Sequence, residues 1–259
     1  MSQNTSPKRR KSKSRSKKKS VNQGKSRFSA KNVLRFMFKS LRNIVFLWVG
    51  ISLLATLGLR WINPPYTSFM LAQRMTTDFV PYKINWVAID EISPAMLIAA
   101  VAAEDQKFPT HYGFDLKAIQ SAIENNRNNQ SIRGASTITQ QVAKNMFLWR
   151  NKSLFRKALE AYFALLIETL WPKWRILEVY LNIAEFGPNI FGIQNAAYSH
   201  FKKTAAQLTQ NQASLLAAVL PNPHKMHASK PSEYVSRRAA HITAQTKSLG
   251  GSHYLEKIW

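Results

Sequence analysis

Cysteine and acidic residues are scarce in this sequence, and each scarcity is informative. The chain has no cysteine, so it folds without disulfide formation, although that absence alone assigns no compartment. It has 13 acidic residues against 37 lysines and arginines. A cluster of carboxylates in such a basic chain is therefore a candidate functional site.

Several common catalytic motifs are also missing. The sequence contains no G-x-G-x-x-G and no P-loop, so it lacks the usual backbone cradle for a nucleotide. It has no D-x-D triplet to hold a metal on a nucleotide sugar and no G-x-S-x-G nucleophile elbow. His224 and His227 in "HKMH" could ligate a metal ion, but their proline-flanked segment lacks a third ligand. We therefore predict no metal site.

The basic charge is concentrated at the N-terminus. Residues 1–42 carry 15 Lys and Arg and no acid, whereas the other 217 residues carry 22 basic and all 13 acidic residues. The segment "SPKRRKSKSRSKKKS" has almost no apolar content, so burial cannot offset the entropy cost of ordering it. Residues 1–42 are predicted to be a disordered basic tail.

A charge-free apolar run, "NIVFLWVGISLLATLGL", follows this tail and predicts a transmembrane anchor over residues 43–62. A buried core helix would keep a polar stripe, whereas only Ser52 and Thr56 are mildly polar here. A cleaved signal peptide fits poorly, because 42 residues precede the run. The positive charge predicts a cytoplasmic tail in contact with anionic lipid, not nucleic acid, and places residues 63–259 outside.

Residues 63–259 are predicted to form one mainly α-helical domain. Residues 64–92 read as a connector with some extended character at "INWVAI". Helix-capping signals such as Ser93-Pro94, Asp115 and the capping boxes Thr137/Gln140, Thr204/Gln207 and Thr209/Gln212 introduce the segments that follow. The predicted helices cover residues 94–105, 116–126, 138–148, 154–171, 173–186, 213–220 and 232–248, and Gly187 closes the fifth of them.

The stretch "AAEDQKFPTHYGFD", Ala102–Asp115, holds three of the 13 acids and a histidine. Glu104 lies at a helix C-terminus among apolar neighbours, and both features disfavour its ionised form. A proton-accepting carboxylate of this kind suits a general base. Asp105 points elsewhere and bonds locally, Asp115 reads as an N-cap, and His111 has either a structural or a direct role.

A second unusual acid, Glu160, lies in "RKALEAYFALLIETLW", which is apolar on nearly all sides. Arg156 is four residues earlier and shares its face, so the two form either a structural ion pair or part of a site. The preceding stretch adds Lys144, Arg150, Lys152 and Lys157. A cationic cluster of this kind suits a diphosphate.

Four segments in order, "AAEDQKFPTHYGFD", "GASTITQQVAKNMF", "RKALE" and "RILEVYLNIAEFG", resemble the motifs of the glycosyltransferase family 51 peptidoglycan polymerases. The resemblance covers about residues 64–250 and implies a lysozyme-like helical fold and lipid II as substrate. It is strongest to members with a single catalytic domain, because the sequence stops at Trp259 without a transpeptidase segment.

The resemblance also assigns roles by position. Glu104 matches the catalytic base and Glu160 a second essential carboxylate. The substrate- and diphosphate-binding positions match Lys144, Lys152, Arg156, Gln140, Gln141, Asn145 and Ser136, with Asp105 and His111 in support. Lys152 stands where arginine is common, so it keeps the charge and lacks the bidentate fork. Gly134-Ala135-Ser136 replaces the more frequent Gly-Gly-Ser.

The implied reaction joins lipid II to a lipid-linked glycan chain with inversion, forming a β-1,4 bond and releasing undecaprenyl diphosphate at the outer face of the bacterial inner membrane. Mg²⁺ is a candidate helper, and other cell-wall synthesis or division proteins are candidate partners. Two alternatives stay open: a lysozyme-like hydrolase, which also uses a single strong glutamate, and a non-enzymatic membrane scaffold.

Overall fold

The computed structural model describes residues 1–2, 30–76, 84–127, 136–151 and 153–259. It divides into two units, Met1–Trp48 and Val49–Trp259. The second unit contains both acid-bearing segments that the sequence singles out.

The first helix, α1, spans Ala30–Gly58 and contains the apolar run. It is the one helix of the described residues long and apolar enough to cross a membrane. The prediction of a disordered tail is wrong for residues 30–42, which are helical, because apolar side chains such as Leu34 and Phe38 occur among their charges. The predicted anchor is helical to Gly58, and residues 59–62 form a turn. Residues 3–29 of the tail lie outside the described residues.

The rest of the described chain is mainly helical, as predicted. The further helices are α2 (Ser68–Thr76), α3 (Pro94–Glu104), α4 (Leu116–Arg127), α5 (Ile138–Phe147), α6 (Leu154–Leu170), α7 (Lys173–Ile183), α8 (Ile193–Phe201), α9 (Gln210–Val219) and α10 (Glu233–Ser248). Short 3₁₀ segments lie at Ile89–Glu91, Ala205–Gln207 and Gly251–Ile258.

Several of the predicted capping signals form in the structure. Asp115 Oδ1 accepts a hydrogen bond from the amide of Ala118, and Thr137 forms its capping box with Gln140. Capping boxes also form at Thr204 and Thr209. Ser93 precedes α3 as expected but makes no side-chain cap, since its hydroxyl donates to the carbonyl of Leu208.

Helix α7 ends at Ile183, three residues before the predicted end at Phe186. The next residues form an antiparallel hairpin of β1 (Glu185–Gly187) and β2 (Ile190–Phe191). The sequence reading missed this hairpin, helix α8 and helix α2, which lies within the predicted connector. Helix α7 ends where Ala184 takes up extended backbone and its carbonyl accepts the amide of Gly192, just after β2. In the last turn of α7, the fully buried Asn182 side chain exchanges hydrogen bonds with the backbone of Val87 on the connector.

Helix α3 forms the centre of the core. Ala99, Ala100 and Val101 are fully buried, and α3 packs against α9, α10 and the C-terminal 3₁₀ segment. Helix α5 packs against α6 and α7 in the same unit. The C-terminal end of α3 comes next to α5, where hydrogen bonds from α5 reach the residues that end α3.

Candidate active site

Glu104 is the last residue of α3 and follows a fully buried stretch of that helix. Its side chain is only 12% exposed, and its Oε2 accepts a 2.8 Å hydrogen bond from Gln141 Nε2 on α5. Burial raises the pKa of the Glu104 carboxyl above its ordinary value of 4.5, even though the Gln141 hydrogen bond and nearby cations pull the other way. The site therefore holds a carboxylate with enhanced affinity for a proton.

A buried tyrosine orients this hydrogen bond. The hydroxyl of Tyr180 on α7 lies 3.5 Å from Gln141 Oε1 and donates to it, which leaves the amide nitrogen facing Glu104. Burial raises the pKa of Tyr180 well above 10, so the hydroxyl keeps its proton. The sequence reading missed Tyr180. The sequence does show a tyrosine in a helix of mainly apolar residues, and a buried tyrosine hydroxyl needs a hydrogen-bond partner.

Asp105 and His111 form a buried hydrogen-bonded pair beside Glu104. His111 Nε2 lies 2.8 Å from Asp105 Oδ2, and the same oxygen accepts a 3.0 Å hydrogen bond from the amide of Ile138, the first residue of α5. That amide belongs to a helix end and has no partner within its own helix. Asp105 therefore joins the end of α3 to the start of α5, a longer-range contact than the local bonding expected.

Glu160 on α6 is buried between two cations. Arg156 Nη1 donates to Glu160 Oε2 over 2.6 Å, and Lys157 Nζ contacts Glu160 Oε1. These residues lie on a cavity of about 210 Å³. Its lining consists of Phe69, Ser136, Gln140, Gln141, Lys144, Arg150, Arg156, Lys157 and Glu160. Four cations against one carboxylate make this cationic cavity a site for an anion.

Lys144 enters the cationic cavity from α5. Burial lowers the pKa of its ammonium group, and the charges of Arg156 and Lys157 add to the lowering, while Glu160 and Glu104 oppose it. Lys144 therefore lies within electrostatic reach of both acids. A bound anion would favour the charged form of Lys144, and the desolvated surroundings would strengthen the attraction between the two.

Only some of the other predicted binding residues line the cationic cavity. Ser136 lines the cationic cavity, and its hydroxyl is 3.4 Å from Lys157 Nζ. Gln140 also lines it, but its side-chain oxygen accepts the amide of Thr137 in the capping box. Asn145 does not line the cavities described here; its backbone carbonyl accepts the hydroxyl of Ser68. Lys152 and the pair Gly134-Ala135 lie outside the described residues.

A second, larger cavity of about 610 Å³ borders Glu104. Tyr234, Arg238, His241 and Gln245 line it from α10, and Glu104, Gln141 and Ser136 belong to its lining too. Arg238 Nη2 lies 3.8 Å from Glu104 Oε1. The sequence reading missed these α10 residues, although their spacing of four, three and four places them on one helical face.

One histidine of "HKMH" lies beside a glutamate. His224 Nε2 lies 3.1 Å from Glu185 Oε1. Within the described ranges, no three His, Asp or Glu side chains are grouped so that they could hold a metal ion.

Fold and site together define a helical protein with an N-terminal apolar helix and a cleft in which a proton-accepting carboxylate lies beside a cationic cavity. The family model described as Transglycosylase matches residues 72–247, and the chain belongs to this family, as the sequence motifs predicted.

Curated relatives are similar over nearly their whole length. The biosynthetic peptidoglycan transglycosylase of Stutzerimonas stutzeri is 48% identical over 230 residues, covering 87% of this chain and 95% of the relative. The protein of the same name from Pseudomonas syringae pv. tomato is 50% identical over 231 residues, covering 87% and 96%. That from Pseudomonas aeruginosa is 47% identical over 230 residues, covering 87% and 99%.

Proposed function

We propose that this protein polymerises peptidoglycan glycan strands from lipid II. The observation that carries the proposal is the position of Glu104 and Gln141 relative to the two cavities. Gln141 lines both, and Glu104 borders the larger one while its charge is felt by Lys144 in the smaller one. A base and an anion site in such proximity suit the transfer of a sugar from a diphosphate.

The larger cavity would hold the acceptor, lipid II. Glu104 accepts the proton of the GlcNAc 4-hydroxyl as the hydroxyl oxygen attacks the anomeric carbon of the donor's terminal MurNAc. The bond from that carbon to the diphosphate oxygen breaks, and its electron pair leaves with undecaprenyl diphosphate. Attack from the opposite face inverts the α-linked donor into a β-1,4 bond. The raised pKa of Glu104 favours this proton transfer.

The cationic cavity would hold the donor's diphosphate. Lys144 and Arg156 stabilise the charge that develops on the leaving group, and Lys157 and Arg150 add to the local positive potential. Glu160 contacts both Arg156 and Lys157, so we assign it the role of holding these cations in place. Mg²⁺ enters this proposal only as a counter-ion of the substrate diphosphate, because the described residues offer no ligand cluster for it.

The two alternatives explain less of the site. A hydrolase that cleaves neutral glycosidic bonds would use Glu104, but it would have no use for the cations around Lys144. A scaffold protein would not need a largely buried carboxylate with a raised pKa at the edge of a cavity. The glycosyltransferase proposal uses both features.

We place the catalytic domain on the outer face of the bacterial inner membrane, with α1 as a single-pass anchor and the N-terminus in the cytoplasm. The 15-to-0 excess of basic over acidic residues before the apolar run supports this orientation. Lipid II and lipid-linked glycan reside in the same membrane. Anionic lipids and other cell-wall synthesis or division proteins complete the partners we propose.

The purified full chain tests the function directly. With lipid II in detergent, it should form polymeric glycan and release undecaprenyl diphosphate, and it should leave purified cell wall intact. Clearing of cell wall without polymer formation would favour the hydrolase. Absence of both activities in a folded protein would favour the scaffold.

A further inference from the structure

The polar residues of the apolar helix lie on its buried face. Ser52 and Thr56 are four residues apart and therefore share one side of α1. They are 6% and 0% exposed, whereas their neighbour Leu54 is 68% exposed. In a span in which most residues are exposed, the side that meets the protein is therefore the polar one.

Both residues are bonded to the catalytic domain. Ser52 Oγ and the hydroxyl of Tyr162 on α6 are 2.7 Å apart. The indole of Trp171, at the end of α6, donates over 2.8 Å to the carbonyl of Thr56. That carbonyl is in the last turn of α1, where no later amide of the helix reaches it.

The residues that follow α1, 59–62, are also hydrogen-bonded to α6 and α7. Arg60 Nη1 donates to the carbonyl of Leu170 over 2.7 Å. Arg175 Nη2 donates to the carbonyls of Leu59 and Ile62, at 3.0 and 3.1 Å. The end of the apolar helix and its exit are therefore fixed to α6 and the start of α7 over several turns.

We propose that Ser52, Thr56, Tyr162 and Trp171 form an anchor latch that sets the height of the cationic cavity above the bilayer. This inference rests on the proposed function, because a lipid-linked donor presents its diphosphate at the headgroup level. Helix α6 carries the latch residue Tyr162 only two positions after Glu160, so the latch and the anion site share one rigid element. The latch residues are positioning residues and do not touch the substrate.

The height of the cationic cavity above the bilayer affects activity only when the substrate is itself held in a bilayer. The test therefore compares full-length lipid II in phosphatidylethanolamine/phosphatidylglycerol vesicles with a short-chain lipid II in detergent micelles, using the full chain. Ser52→Ala and Tyr162→Phe each remove the shared hydrogen bond. Each should lower polymerisation in vesicles about two- to tenfold, the range that one hydrogen bond spans, with little change in micelles.

A double variant and two further substitutions sharpen the test. Ser52→Ala combined with Tyr162→Phe should lose no more than the worse single variant, because both act on one bond. Thr56→Leu overfills a fully buried position and should lower the vesicle-to-micelle activity ratio further. Leu54→Ala, on the exposed face of the same helix, should keep the parent's ratio.

Three results would overturn the latch: unchanged activity in vesicles, equal losses in vesicles and micelles, or additive losses in the double variant. A parent protein that polymerises neither substrate would instead contradict the proposed function. Failure of the latch therefore shows in the variants while the parent polymerises normally, whereas failure of the proposed function shows in the parent itself.

Discussion

Gln141 Nε2 donates a 2.8 Å hydrogen bond to Glu104 Oε2, and this bond joins the end of α3 to the middle of α5. Gln141 lines both the cationic cavity and the larger cavity along α10. The residue next to the proposed base is thus shared by the proposed donor and acceptor sites. Its hydrogen bond favours the ionised carboxylate, so it also sets the pH at which that base becomes available.

Removing this hydrogen bond should shift the pH dependence of the reaction. Glu104 must be ionised to accept a proton, so its pKa sets the acid limb of the kcat/KM profile, above the ordinary 4.5. Gln141 lowers that pKa, so Gln141→Ala should raise it and move the acid limb to higher pH. Initial polymerisation rates measured from pH 4 to 9 check the direction of the shift.

Arg238→Gln provides a matched comparison. The positive charge of Arg238 also lowers the pKa of Glu104, so its loss should move the acid limb the same way. Since Arg238 lies in the larger cavity, this variant should in addition raise KM for the acceptor. An acid limb that stays in place in both variants would contradict Glu104 as the titrating base.

The cationic cavity should govern binding of the diphosphate. Lys144→Ala should weaken the binding of lipid II and of phosphate-mimicking inhibitors and reduce turnover, because it removes a desolvated charge from the anion site. Arg156→Ala should do the same. Titration of each variant with a fluorescent inhibitor measures the effect, with Lys247→Ala on α10 as a surface control. Unchanged affinity in both cavity variants would count against the diphosphate site.

Arg156→Ala should also destabilise the fold. Its partner Glu160 is buried, so the substitution leaves that carboxylate with Lys157 alone, at a cost of about 1–3 kcal/mol in the free energy of unfolding. Arg237→Ala breaks an i,i+4 pair with Glu233 that is exposed, and it should cost about 0.5 kcal/mol or less. Chemical denaturation of the two variants measures the difference. Equal losses would show that burial of Glu160 contributes nothing.

The proposed orientation is checked with a reporter that is active only outside the cytoplasm. Fused after Trp259, it should be active, because the basic residues before the apolar run hold the N-terminus inside. A reporter that is active only in the cytoplasm should be silent at the same position. The opposite pattern would reverse the topology.

Features that depend on local sequence were predictable. Capping boxes act within four residues, so the starts of α5 and α9 followed from the sequence. The raised pKa of Glu104 also followed, because a helix end and apolar neighbours are local. The Glu160–Arg156 pair lies within one helical turn and was equally visible.

Features that depend on tertiary contacts were not predictable. Arg238 approaches Glu104 from a helix more than a hundred residues later, and Tyr180 reaches Gln141 from α7. Helix α7 ends early because Ala184 is extended and its carbonyl pairs with the amide of Gly192, eight residues later. Hydrophobic periodicity and capping signals do not report which distant residues will meet. The contribution of α10 to the site is therefore seen only in the folded structure.

Glu104→Gln tests the central claim most directly. The amide keeps the shape of the carboxylate and cannot accept the proton, so polymerisation of lipid II should fall by about 10²- to 10⁴-fold. Because burial raises the pKa of Glu104, ionising it at neutral pH costs the fold stability, and the neutral amide removes that cost. The account therefore predicts an inactive variant that melts at or above the parent's temperature, whereas normal polymerisation by Glu104→Gln would contradict Glu104 as the base.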